Sequence, residues 1–209
     1  MEFMTGFGLA SAAGLNAYIP LLSMGLLDRY TNLVNLPSGW SWLANGWVIA
    51  IVAVLLLIEI VADKVPALDT VNDTVQTFVR PTSGGIVFGS GTAAQTAAVT
   101  DPGEFARTGQ WVPIVIGVVT ALVVHLTKTT VRPAANVATA GVAAPVLSTI
   151  EDFTSVGLTF VAILIPALVA VVLIAVFWGA FVLWRRMRRR KRAKTMRDAS
   201  PEEESRNRI

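Results

Sequence analysis

The chain has no cysteine and a single histidine, His125. Disulfides, thiol nucleophiles and thiolate metal sites are thereby excluded, and with one imidazole no zinc site is expected. Charge is scarce as well. Asp, Glu, Lys and Arg make up 15% of the 209 residues and hydrophobic residues 54%, whereas a soluble domain usually has about 25% charged residues. Mean hydropathy is +0.61. The little charge present is segregated: residues 1–184 hold 6 Lys/Arg against 10 Asp/Glu, a balance of −4, and residues 185–209 hold 11 against 4, a balance of +7. A basic opening run is also lacking. The only early charge is Glu2, so the A-x-A-like triplet Ala10–Ala12 reads as part of an uncleaved first span and not as the end of a secretory leader.

Catalytic signatures are missing too. There is no GxSxG, no HExxH and no paired-histidine site, and His125 has no nucleophile beside it in sequence. No enzyme activity and no cofactor are expected. The phrase GSGTAA, Gly89 to Ala94, fits a dinucleotide fingerprint in letters, but no alternation of strands and helices surrounds it. It reads as part of a packing helix with Gly85 and Gly89 on one face.

What the chain does have is a series of long uncharged runs. Phe3–Leu27 is long enough to cross a bilayer, which takes about 20 residues. It presents Gly6, Ala10 and Gly14 on one face and is interrupted at Asn16 and Pro20. A tightly packed kinked helix and a break lining a cavity both fit that interruption. Asp28–Gly46 is a loop with aromatic residues of headgroup-belt type. Trp47 to about Ala62 is the second span, and Pro66 opens an amphipathic interfacial segment reaching Phe78. The small-residue run 81–100, a polar loop over 100–110, the apolar run Trp111–Leu126, the small-residue run 134–150 and the 32-residue run Phe153–Trp184 follow. The expected fold class is all-α: a polytopic helical membrane protein of about six hydrophobic segments in two approximate repeats. The runs 81–100 and 134–150 could instead be re-entrant. Residues 1–184 form the membrane domain and 185–209 a basic, largely disordered cytoplasmic tail.

Two charged stripes stand out. Glu59, Asp63 and Lys64 close the second span, with Asp69, Asp73 and Arg80 after them; His125, Lys128 and Arg132 share one face at the end of the fourth. An ionisable group near the bilayer core costs roughly 2.5–3.5 kcal/mol on insertion scales unless it is paired or faces water. Glu59, Asp63, Lys64, Asp69, Asp73, His125, Lys128 and Arg132 are therefore the candidate polar pathway or salt-bridge network, and at least one of Glu59 and Asp63 should reach a member of the basic stripe.

The strings GLASAAGLNAYIPLL, EIVADKVPALD with FVRP, HLTKTTVRPAAN and STIED occur together and in this order between Gly8 and Asp152, and the resemblance they carry spans most of residues 4–165. In these the chain resembles domain-of-unknown-function family 4126, prokaryotic integral-membrane proteins of uncharacterised activity. The resemblance implies a compact helical membrane domain with polar signatures around Glu59, Asp63, Lys64, Lys128 and Arg132. The proline after Arg132 departs from the pattern. Orientation follows from Arg185, Arg186, Arg188, Arg189, Arg190, Lys191 and Arg192, which place the C-terminus in the cytoplasm of a plasma (inner) membrane and against anionic lipid headgroups, with no nucleic acid as partner. A homo-oligomer is compatible with the small-residue faces. Function then lies between a small transporter or channel for an ion or anionic solute and a structural or accessory membrane protein. A pathway calls for charged groups bordering a cavity open to water. A structural network calls for charged groups buried and mutually paired.

Overall fold

The computed structural model describes residues 2–92, 109–139 and 143–172, together with residues 174, 178 and 185. The polar loop expected over 100–110 lies mostly outside the described residues, as do 93–100 of the first small-residue run and the basic tail beyond Arg185. The chain divides into two units, Met1–Val169 and Ala170–Ile209, and the helices below belong to the first.

Every described element is helical. They are α1 (Glu2–Leu15), α2 (Tyr18–Tyr30), a 3-10 turn (Ser38–Ala44), α3 (Gly46–Ala62), α4 (Pro66–Gly91), α5 (Trp111–Ala138) and α6 (Ala143–Leu164). Within α5, Trp111–Thr130 is long and apolar enough to cross a membrane, and so is α6. The 3-10 turn and α3, bent by 60°, make a third span if counted as one.

Two boundaries differ from the sequence reading. The interfacial segment expected to stop near Phe78 and the run beginning at Pro81 are one helix, α4, with Pro81 inside it. Packing outweighs the proline: Thr77 before it and Gly84 and Gly85 after it all face α5. In the second half, Arg132-Pro133 likewise lies within α5, and the run 134–150 is divided between α5 and α6. Glu151 and Asp152 do not interrupt the chain between the run 134–150 and the run that begins at Phe153. They sit inside α6, which runs on to Leu164 and breaks at Ile165, just before Pro166, as expected for the residue preceding a proline.

Small residues set the packing. α1 lies against α4, α5 and α6, and the most extensive interface is α4 on α5. The fully buried apolar residues include Leu9, Ala10, Ala12, Ala13, Ala121, Ala144 and Ala162. Gly84 of α4 meets Gly117 and Ala121 of α5 so closely that a Cβ on either glycine would overlap the opposite backbone or side chain. Gly85 lies against Ile114 and Val118, and Gly89 against the Trp40 ring, so this stretch serves helix packing. The outside is the reverse of a soluble protein's: Ile51, Val54, Leu57, Ile58 and Val61 of α3 and Ile150, Phe153 and Leu164 of α6 are exposed. Arg80, Glu59, Asp63, Lys128 and Arg132 are buried.

Replacing Gly84 by leucine should lower stability by about 2 kcal/mol or more, because an overpacked core typically costs 1–3 kcal/mol and here backbone is the neighbour. Gly157→Ala on α6, where a Cβ meets nothing within 4 Å, should be neutral or stabilising by up to about 1 kcal/mol. Thermal unfolding in detergent of the two variants checks the contrast.

Candidate functional site

The site forms where the first predicted span breaks. α1 ends as Asn16 N–H donates to Ala12 O. The Asn16 side chain then starts α2, its Oδ1 accepting from the N–H groups of Tyr18 (3.1 Å) and Ile19 (3.2 Å). This is the capping role for which a short amide side chain is suited. Pro20 is not the breaker. It falls in the first turn of α2, where a missing N–H leaves no helical bond unmade.

A helix C-terminus presents unpaired carbonyls and a partial negative charge. At the end of α1 side chains of three other helices donate to its carbonyls, including Ala12 O, which already accepts from Asn16 N–H. Ala12 O accepts from Ser155 Oγ (3.0 Å), Gly14 O from Arg80 Nη1 (3.4 Å) and Leu15 O from Lys128 Nζ (3.3 Å). Just past the break, Ala17 O accepts from Ser83 Oγ (2.6 Å).

Carboxylates complete the cluster. Glu59 is the one buried side chain of α3, and its Oε1 accepts from Arg80 Nη2 at 2.9 Å. Asp63 caps the end of α3. Its Oδ2 lies 3.3 Å from Lys128 Nζ, 3.2 Å from Arg132 Nη2 and 3.7 Å from Arg80 Nη2. Its Oδ1 accepts from Asn72 Nδ2 at 2.6 Å. Glu151 of α6 binds Lys128 Nζ at 2.9 Å and grips Arg132 by two nitrogens, Nε to Oε1 at 3.3 Å and Nη2 to Oε2. At the rim, Asp152 accepts from Asn16 Nδ2 (2.9 Å) and lies 3.6 Å from Lys64 Nζ. Exposure is graded along this line: Arg80 side chain 0%, Asp63 3%, Glu151 15%, Lys64 37%.

His125 differs from the role its place in the basic stripe suggested. Its Nδ1 faces Arg80 Nη1 at 3.3 Å, and its Nε2 faces Thr77 Oγ1 at 3.0 Å. A guanidinium can only donate, so Nδ1 is the acceptor and Nε2 carries the proton. Thr77 Oγ1 passes its own hydrogen to Asp73 O at 2.8 Å. His125 is thus a neutral relay between Arg80 and the backbone of α4, not a third cation.

Of the other sequence candidates, Asp73 has a buried Oδ1 with no hydrogen-bond partner among the described residues, as do Glu59 Oε2, Gln76 Oε1 and Arg80 Nε. The Asp69 side chain lies outside the described part. Sequence reasoning left Arg80 at the end of a segment and used Glu151 and Asp152 only as interruptions. A helix running unbroken from Pro66 would have put Asp73, Thr77, Arg80 and Gly84 on one face and marked Arg80 as a partner for Glu59.

An apolar recess of about 260 Å³ lined by Leu21, Phe78, Val79, Thr82, Ser83 and Ile86 lies between α2 and α4 and borders none of the charged groups.

Burial opposes charge on Asp63, but Lys128, Arg132 and Arg80, with the Asn72 amide, outweigh it and hold its carboxyl below the usual carboxylate range. A carboxylate of lowered folded pKa contributes stability that is present above its unfolded value, about 3.9, and is lost as pH falls through the folded one. Melting temperature followed from pH 7 downwards should therefore drop in the acid range. Asp63→Asn, already lacking that contribution at pH 7, should show a shallower fall.

No curated protein and no solved structure matches the chain. The profile of a family described as a domain of unknown function (DUF4126) matches residues 3–186, which takes in α1 to α6 and every residue of the charge network, and the chain belongs to that family.

Proposed function

We propose that the chain is a multi-pass integral membrane protein of structural or accessory type, in which the charge network clamps the helix bundle shut around the break between α1 and α2. The inverted distribution of residues supports the membrane setting: apolar side chains outside, ions inside. In this reading α1 and α2 form a hairpin that enters and leaves the bundle on one side, since Gly6 of α1 lies against Phe88 and Thr92 near the end of α4 and Gly25 of α2 against Leu43 and Ile49 around the start of α3. The helices α3, α4, α5 and α6 supply four spans, and the apolar run after Pro166 supplies a fifth. The basic run from Arg185 then lies in the cytoplasm against anionic headgroups. The turns after α3 and α5 face the same side, so the clamp occupies the cytoplasmic half. The two repeats are then approximate at best, since the first half spends two helices, α3 and α4, on what the second carries in α5 alone.

One observation carries the clamp: Arg80, Lys128 and Arg132 are all buried, and each lies within 3.3 Å of a carboxylate. Groups held this way are mutually neutralised, and the apolar recess between α2 and α4 borders none of them.

The graded exposure from Lys64 to Arg80 favours a second reading, a transporter of an ion or anionic solute in a closed state, with Lys128 and Arg132 as the solute-binding cations. Arg132→Gln and Glu59→Gln separate the two. Removing one partner of a buried pair costs about 3–5 kcal/mol, so a clamp lowers the melting temperature of both variants by roughly 10 °C. Liposomes with the native chain should then carry no flux of phosphate, chloride, sodium or protons. Flux abolished by Arg132→Gln in a protein that melts as the native one does would support transport instead.

A further inference from the structure

Three polar atoms in the inner half of the clamp have no hydrogen-bond partner among the described residues: Glu59 Oε2, Arg80 Nε and Gln76 Oε1. Their residues are 1%, 0% and 2% exposed, so bulk solvent does not reach them. Two of the three atoms belong to one ion pair. Glu59 Oε1 accepts from Arg80 Nη2 at 2.9 Å, yet the second carboxylate oxygen and the neighbouring Nε–H stay unbonded. An arginine edge and a carboxylate often close such a contact with two parallel bonds. Here the fork is half closed, with one acceptor and one donor left over. The remaining nitrogen, Nη1, is already engaged by Gly14 O and His125 Nδ1. Gln76 stands one turn before Arg80 on the same face of α4. Tyr18 of α2 interacts with Gln76, Glu59 and Arg80. The three unbonded atoms therefore meet where α2, α3 and α4 converge.

We propose that one water molecule is bound at this junction, donating to Glu59 Oε2 and Gln76 Oε1 and accepting from Arg80 Nε. The identity of the ligand follows from what the three atoms require. It must donate twice and accept once. A metal cation cannot accept the Nε–H and would face the guanidinium charge, and an ammonium ion has no lone pair to offer. An alcohol donates only once. An anion has no hydrogen for either oxygen and would lie against the Glu59 carboxylate. Water matches in kind and in number, since a buried water typically makes about three hydrogen bonds to groups otherwise unsatisfied. Bound in this way it joins α3 to α4 a second time. Glu59 then holds Arg80 directly, and holds Arg80 and Gln76 through the water.

The test substitutes Gln76 in the full-length protein, with melting temperature in lipid nanodiscs as the first readout. Gln76→Met keeps the volume and removes the acceptor. Gln76→Ser removes the reach of the acceptor but leaves room for a second water in its place. A bound water predicts that Gln76→Met lowers the melting temperature by about 3 °C or more, and that Gln76→Ser lies between it and the native chain. A dry junction gives the opposite order. Gln76→Met, which deletes an unsatisfied acceptor, then melts at or above the native chain, and Gln76→Ser, which opens a hole, melts below it. A Gln76 amide turned to donate straight to Glu59 also puts Gln76→Ser at or below Gln76→Met, because no water restores the lost bond. Gln76→Ser melting at or below Gln76→Met therefore overturns the proposal. The second readout is a crystal structure of the native chain grown in a lipid mesophase. Density for one water within about 3.2 Å of all three atoms is expected. A junction without it, or Gln76 Nε2 bonded to Glu59 Oε2, overturns the proposal. Neither substitution changes a charge, so the clamp is judged separately, on Glu59→Gln and Arg132→Gln.

Discussion

In a bilayer α3 has almost nothing to hold it to the rest of the protein except charge. It is 17 residues long, it is the most apolar helix of the bundle, and Glu59 is its only buried side chain. Lipid tails satisfy its leucines and valines as well as protein would, so the hydrophobic effect gives no preference for docking. At the end nearest α4 the tether is Glu59 on Arg80, followed at once by Asp63 on Lys128 and Arg132. The opposite end rests on α2 and the 3-10 turn, where Gly25 comes close to Leu43 and Ile49. Electrostatics thus fixes the position of a helix that packing alone would leave free to drift.

The same constraint explains the broken helix. Three buried cations need acceptors, and three carboxylates do not exhaust the donors of two guanidiniums and an ammonium. Ending α1 at Leu15 frees backbone carbonyls where Arg80 and Lys128 can reach them. Asn16 repairs the opposite side of the gap by capping α2 and binding Asp152. Break and network support one another. The network is still imperfect, since Glu59 Oε2 and Arg80 Nε stay without partners among the described residues, and a buried unsatisfied polar atom costs about 1–3 kcal/mol. The close glycine contacts between α4 and α5 supply the packing that offsets it.

Much of this was legible in the sequence. The all-helical fold, α3 to within a residue of each end, the interruption at Asn16 and the closeness of Asp63 to Lys128 and Arg132 follow from runs of hydrophobicity and from the cost of buried charge. The prolines misled. Pro81 and Pro133 stand at segment boundaries in the sequence reading, yet both lie inside helices. Around Pro81 it is the packing of Thr77 and Gly84 on α5 that carries the helix through, information that a local pattern does not hold. Reading α4 as two pieces hid Arg80, and reading Glu151-Asp152 as a boundary hid the second acidic partner of Lys128 and Arg132. The charge on His125 was likewise invisible, because it depends on which group faces Nδ1.

The account stands on the electrostatic docking of α3, and a double-mutant cycle on Glu59→Gln and Arg80→Gln, followed by thermal unfolding in lipid nanodiscs, measures it directly. Each single change leaves one buried charge without its partner, whereas the double change removes both. The account predicts a strongly non-additive cycle, the double variant being at least about 2 kcal/mol more stable than the sum of the singles implies. Additivity within about 0.5 kcal/mol would contradict it and show that α3 is held in place by something other than this pair.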